Sequence, residues 1–289
     1  MVPGRYFTWP PHTQGDFIIL RRTVAIVLVL GVSSSAVAHE PVFSLGPETI
    51  WEGGVGIETK FEFEDARGDQ LSALHYEIIY GVTSDLSLTF ELPQILALEE
   101  DGETEHGLGD IEFRAKYQFF KKDLLGAQHK VSGIFGVKAP TGDDDAVPAL
   151  STGTTDFLLG VSYGYESRSW YQFLTVRYRL RTERGDLDPG DRLFIDAAIG
   201  FRPWQREYTE WDLVALLEMN VELEFDSEFR STTLPNVGGN TVWLGPTILF
   251  SPNPQWMFKG GVQLSVYEDL NGDQEHSEFR AVFAIEFHF

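Results

Sequence analysis

Glu278-Phe279-Arg280-Ala281-Val282-Phe283-Ala284-Ile285-Glu286-Phe287-His288-Phe289 ends the chain, and its alternation decides the fold. Phe279, Ala281, Phe283, Ile285, Phe287 and Phe289 fall on one side, Glu278, Arg280, Glu286 and His288 on the other, because successive side chains of a strand point to opposite faces. The same split sets Val55, Ile57, Phe61 and Phe63 against Glu58, Lys60, Glu62 and Glu64. It sets Trp170, Leu174, Val176 and Leu180 against Arg177, Arg179 and Arg181, and Leu213, Leu217, Met219 and Val221 against Asp212, Glu218, Glu222 and Glu224. Twelve such segments run along the chain: 54–64, 72–80, 86–92, 108–119, 130–138, 157–166, 170–181, 192–202, 211–226, 241–250, 256–267 and 278–289. Strands of soluble sandwiches average about five to six residues, whereas a tilted strand needs about nine to eleven to cross a bilayer. Most of the twelve reach the longer length, which predicts an all-β fold: a closed antiparallel up-and-down transmembrane β-barrel of about 12 strands.

The connections sort as such a barrel requires. Those after odd-numbered segments are 65–71, 93–107, 139–156, 182–191, 227–240 and 268–277, and they carry 20 acids against three bases. Those after even-numbered segments are shorter and carry four of each. Short turns face the periplasm and long loops the outside, so the outer end is expected to be strongly acidic, at −17. Rings gather at the short-turn end, among them Tyr80, Phe119, Phe120, Trp170, Phe201, Trp204, Tyr208, Trp211, Phe250 and Trp256, as an interfacial aromatic girdle would.

Composition narrows the function. The 289 residues carry 22 Lys and Arg against 44 Asp and Glu, a formal charge of −22, which argues against nucleic acid as a partner. Cysteine is absent, so thiol catalysis and cysteine metal sites are excluded. Arg21 and Arg22, the apolar run 23–32 and Ser33-Ser34-Ser35-Ala36-Val37-Ala38 have the order of an export signal. The expected organisation is a signal peptide over 1–38, a periplasmic N-terminal segment over 39–53 and an outer-membrane barrel over 54–289. The exported chain then carries −24, since the leader removes Arg5, Arg21, Arg22 and Asp16.

Three stretches, Gly107-Leu108-Gly109-Asp110-Ile111-Glu112-Phe113-Arg114-Ala115-Lys116-Tyr117-Gln118-Phe119, Gly136-Val137-Lys138-Ala139-Pro140-Thr141-Gly142 and Gly153-Thr154-Thr155-Asp156-Phe157-Leu158-Leu159-Gly160-Val161-Ser162-Tyr163, resemble the bacterial outer-membrane transporter family named after the MetA pathway of phenol degradation. The resemblance covers roughly 54–289 and implies a barrel that moves small hydrophobic or aromatic compounds. The terminal Phe289 is similar to the signal by which outer-membrane proteins engage the barrel assembly machinery.

The polar faces supply the lumen-lining candidates: Glu58, Lys60, Glu62, Glu112, Arg114, Arg177, Arg179, Arg181, Glu218, Glu222, Glu224 and Arg280. Here the row Arg177/Arg179/Arg181 and the row Glu218/Glu222/Glu224 either line a polar passage with a transverse field or pair and plug it. Asp269, Asn271, Asp273 and Glu275 have the alternate-oxygen spacing of a calcium loop without its flanking helices. His39, the first residue after the expected cut, could chelate through its amine and imidazole. Acidic loops could also share divalent cations with lipopolysaccharide. No bound cofactor is implied. The function expected is passive uptake or efflux of a small-molecule solute. The alternatives are a structural or adhesive barrel with a plugged lumen and cation-binding outer loops, and an outer-membrane hydrolase. A hydrolase needs a lipid-facing histidine beside a nucleophile, whereas His75 and His288 both fall on polar faces.

Overall fold

The computed structural model describes residues 39–100, 102–205 and 210–289. The signal peptide over 1–38, and Tyr208 of the expected girdle, lie outside the described residues. Twelve long antiparallel strands form the wall: β1 Val55–Ala66, β2 Asp69–Thr83, β3 Leu86–Glu100, β4 Ile111–Leu124, β5 Ala127–Ala139 and β6 Asp156–Ser167, followed by β7 Trp170–Arg181, β8 Arg192–Phe201, β9 Asp212–Glu224, β10 Gly239–Asn253, β11 Trp256–Leu270 and β12 Phe279–His288. Each pairs with its neighbours in sequence, and β12 pairs with β1 from Gly56 opposite His288 to Asp65 opposite Phe279. The wall is therefore closed, and no strand edge is left to seek a partner. Twelve strands about 4.8 Å apart and tilted by about 40° make a ring roughly 24 Å across its backbone.

Alternation assigns the two surfaces as the sequence predicts. Ile57, Ile78, Phe113, Leu159, Val161, Ile199, Ile248 and Phe283 are exposed on the outside. Glu58, Glu112, Asp196, Glu218, Lys259 and Arg280 are buried on the inside. A one-residue slip would turn every charged side chain outward, which fixes the register. An arginine at a central outward position tests this. Val161→Arg, near the middle of β6, is expected to cost about 2–4 kcal/mol in lipid. Unfolding in urea from bilayers, with Val161→Leu as control, measures the loss, and an unchanged stability would place this face away from acyl chains.

Two outer connections are tighter than the sequence predicts. The seven residues 65–71 were expected to form a loop, but β1 and β2 pair as far as Ala66 opposite Asp69, with only Arg67 and Gly68 between them. Both take positive φ, 44° and 132°, the left-handed geometry that two-residue hairpins demand and glycine supplies cheaply. In the expected loop 93–107, β3 instead continues to Glu100 and the chain returns as a short strand, Glu103–Leu108, paired to it. Strands that project beyond the bilayer are wetted on both faces, so their alternation fades although their pairing continues.

Candidate functional site

Residues 39–53, expected to stand as a periplasmic lead, enter the ring of strands. The wall holds this segment mainly by its main chain. The amides of Val42 and Phe43 donate to the two carboxylate oxygens of Glu218, at 2.8 and 3.0 Å. The carbonyl of Leu45 accepts from Ser162 and Thr175, that of Pro47 from Ser132 and Gln118, and that of Phe43 from Asn220. The Ile50 amide donates to Ser87. Its carboxylates add ion pairs, Glu40 with Lys116 and Glu48 with Lys130. Since Thr49 donates to the carbonyl of Ser84 in the β2–β3 turn, while Phe43 lies 5.2 Å from the Arg280 guanidinium, the segment rises from the short-turn end toward mid-lumen and returns.

The wall makes room for it. A Cβ on Gly164 would stand 2.7 Å from the ring of Pro47, and one on Gly261 would stand 2.8 Å from the ring of Phe43. Contacts that close are forbidden by sterics, so these inward glycines are part of the seat.

His39 anchors the other end. Its Nε2 is 3.1 Å from Asp212 and its Nδ1 is 3.5 Å from Glu166, and its ring meets Tyr171 edge-on at 5.5 Å. Arg202 completes the cluster, 2.7 Å from Asp212. Burial disfavours the imidazolium, but the two carboxylates outweigh it and raise the pKa from 6.5 to about 9. A raised pKa means that His39 stabilises the seated segment fully below pH 6.5, and that this contribution is lost as pH rises through about 9. Conductance recorded in planar bilayers is expected to rise between pH 7 and pH 10, and His39→Gln to remove that rise. A pH-independent current would dismiss the latch.

Beyond the segment, toward the long loops, lies a cavity of about 620 Å³. Glu58 and Glu286 share Lys259, at 2.5 and 2.6 Å. Glu62 contacts His75 at 3.0 Å, and His75 contacts Glu91 at 2.7 Å. Arg114 gathers Glu91, Glu77 and Glu112 within 2.5 to 3.3 Å, and Glu112 continues to Arg179 at 2.7 Å. A connected chain of charges thus runs from β1 to β7. Lys60 lines the same cavity. Loop 140–155 folds into the mouth, where Leu150 and Thr152 join the lining and Lys138 bridges Asp110 and Asp156 at 3.0 and 2.9 Å.

The basic and acidic rows do not face one another, because they stand two strands apart on β7 and β9. They meet only where Arg181 reaches Glu224 at 2.8 Å, a carboxylate that Arg192 also contacts at 2.8 Å. Arg177 pairs with Asp196 at 2.8 Å, and Glu222 with Arg280 at 2.6 Å. Glu218 serves the re-entrant segment. That role was not legible from the strand pattern alone, although the run of small inward groups Ser132, Ser162, Gly164 and Thr175 marks a wall built around something.

The other candidates find structural partners. Asn271 donates to Asp226 and to the carbonyl of Val237, and the Asp273 amide donates to Asn236, so this loop packs on 225–238. Among the described residues no group of three or more His, Asp and Glu side chains is arranged to hold a metal ion. Gly160-Val161-Ser162-Tyr163-Gly164 has the spacing of a hydrolase nucleophile elbow. It lies inside β6, and Ser162 bonds Leu45 and Thr175 rather than a histidine.

In fold, the chain is similar to the COG4313 outer membrane channel from Pseudomonas putida F1, with a TM-score of 0.71 and 12% identity over 86% of this chain and 100% of that one. It is similar to the NanC porin with a TM-score of 0.54 and 9% identity, over 80% of this chain and 98% of that one. No curated protein matches the chain. A family model described as "Putative MetA-pathway of phenol degradation" matches residues 72–270.

Proposed function

Because the chain belongs to this phenol-degradation family and is a closed outer-membrane barrel, we propose that it is a passive channel for small polar solutes, governed by residues 39–51. The observation that carries this reading is the way the lumen is filled. The wall side chains leave a cavity of about 620 Å³ lined by ionised groups, and the obstruction below it is a separate segment held by hydrogen bonds that water can replace. The Pseudomonas putida F1 protein of the same fold is an outer membrane channel, which points the same way. The family name suggests hydrophobic or aromatic compounds, but a lining this rich in carboxylates and guanidinium groups supports polar solutes, since apolar ones gain nothing from a desolvated charge. The terminal strand, ending at Phe289, is the element we assign to recognition by the assembly machinery, and the acidic outer loops are suited to divalent cations shared with lipopolysaccharide.

One observation favours a second reading: the segment fills the short-turn half of the lumen, as it would in a structural barrel whose loops carry the function. Reconstitution decides between them. The channel reading expects single-channel currents and swelling of sugar-loaded liposomes, and a pure barrel that gives neither is a plug.

A further inference from the structure

Resting on the channel reading, the distribution of charge in the cavity names the solute. The lining contains eight carboxylates and eight Lys or Arg side chains, so it has no net preference for either sign. The charges are sorted, however. On β7 and β8 the lining contributes Arg177, Arg179, Arg181 and Arg192, of which Arg177 is answered by Asp196 and Arg179 by Glu112, whereas on β1 to β3 it contributes Glu58, Glu62, Glu77 and Glu91 with a single lysine, Lys60, and His75. In a ring of twelve, β1 and β2 stand six strands from β7 and β8, so the two groups occupy opposite walls.

This arrangement is a transverse dipole. Across a narrow, weakly screened lumen it orients any solute that carries separated charges. On the basic wall, Arg181 and Arg192 share the one carboxylate of Glu224, so this pair of guanidinium groups carries one more charge than its partner and has the planar fork that matches a carboxylate. On the acidic wall the glutamates outnumber the cations that hold them, since Arg114 is shared by Glu77, Glu91 and Glu112 and Lys259 by Glu58 and Glu286, and the charge left over suits an ammonium. The connections and strand ends at the outer end carry −16 by sequence once Asp156, part of the lining, is set aside, which repels solutes with net negative charge at the entrance, and the neutral lining gives a bare cation no gain once inside. A solute that bears both charges and sums to zero meets neither obstacle.

We propose that the cavity selects small zwitterions of the α-amino acid class, with the carboxylate turned to the arginines of β7 and β8 and the ammonium to the glutamates of β1 to β3. The cavity volume lies within the range of ligand sites, about 300–1,000 Å³, and accommodates such a molecule.

The test uses liposomes holding the full exported chain and three probes of nearly equal size: L-alanine, the neutral lactamide and the anion lactate. Alanine is expected to drive swelling about threefold faster than lactamide or lactate. The variant Arg179→Gln/Arg181→Gln/Arg192→Gln is expected to bring the alanine to lactamide ratio close to one. Should that variant fail to assemble, Arg192→Gln alone, at the mouth, is expected to lower the same ratio. Lactamide matching alanine, or lactate outrunning it, overturns the zwitterion assignment while leaving the channel in place. Swelling by none of the three overturns the channel reading itself, and the assignment with it.

Discussion

Deleting residues 39–51 is expected to raise single-channel conductance roughly threefold or more, because current through a narrow pore is set by its tightest cross-section. The segment occupies the short-turn half of the lumen, where a separate pocket beside it holds about 80 Å³. The wall does not depend on it for closure, since β12 pairs with β1 without its help. The deletion leaves Lys116, Lys130 and Glu218 without their partners in the segment, and these refill with water in an opened lumen. A point variant separates loss of the segment from loss of its seat. Glu218→Leu removes the acceptor of the Val42 and Phe43 amides and is expected to move conductance in the same direction while leaving the chain length intact. Planar bilayer recordings at fixed salt make the comparison. Equal conductance in all three proteins would mean that the segment is not the obstruction.

Arg114→Leu is expected to destabilise the barrel by about 3 kcal/mol, the lower part of the range for breaking a buried ion cluster. The guanidinium holds Glu77, Glu91 and Glu112 within 3.3 Å, and its side chain is only 13% exposed. Leucine leaves three carboxylates crowded together with the positive charge gone. Because protonation relieves that crowding, the loss should shrink as pH falls below the carboxylate range. Urea unfolding in detergent micelles at pH 8 and pH 4 reads both effects. A change under about 0.5 kcal/mol at pH 8, the size of a neutral surface substitution, would show that the cluster is spectator charge.

Much of this architecture was legible because a membrane barrel reverses the usual hydrophobic pattern without blurring it. Oily residues meet acyl chains and ionised ones meet the interior, so the period of two survives across the whole wall. Glu58, Glu62, Glu112, Arg114, Arg177 and Arg280 were placed inward by parity alone, and all of them face the lumen. Pairing among them was not legible, since it depends on which strands lie across the ring rather than along the chain. The hairpin at Arg67-Gly68 was missed because both faces of β1 and β2 turn polar beyond the bilayer. Residues 39–51 escaped for a different reason. Glu40-Pro41-Val42-Phe43-Ser44-Leu45-Gly46-Pro47 has no periodicity, and its hydrogen bonds use mostly backbone atoms, which every sequence possesses. The signal lay in the wall, in glycines and hydroxyls at inward positions where a polar lumen has no other need of them.

That grip on the backbone has an evolutionary corollary. Glu218, Ser132, Ser162, Thr175, Asn220 and Ser87 hold peptide groups of the segment, not its side chains. Drift along Val42 to Leu45 therefore costs few hydrogen bonds, while each replacement among those six barrel positions costs one or more. Homologues should diverge in the tether outside Phe43 and Pro47, whose rings the inward glycines admit, yet retain its socket, and a graft that keeps those two rings on the same curve should dock.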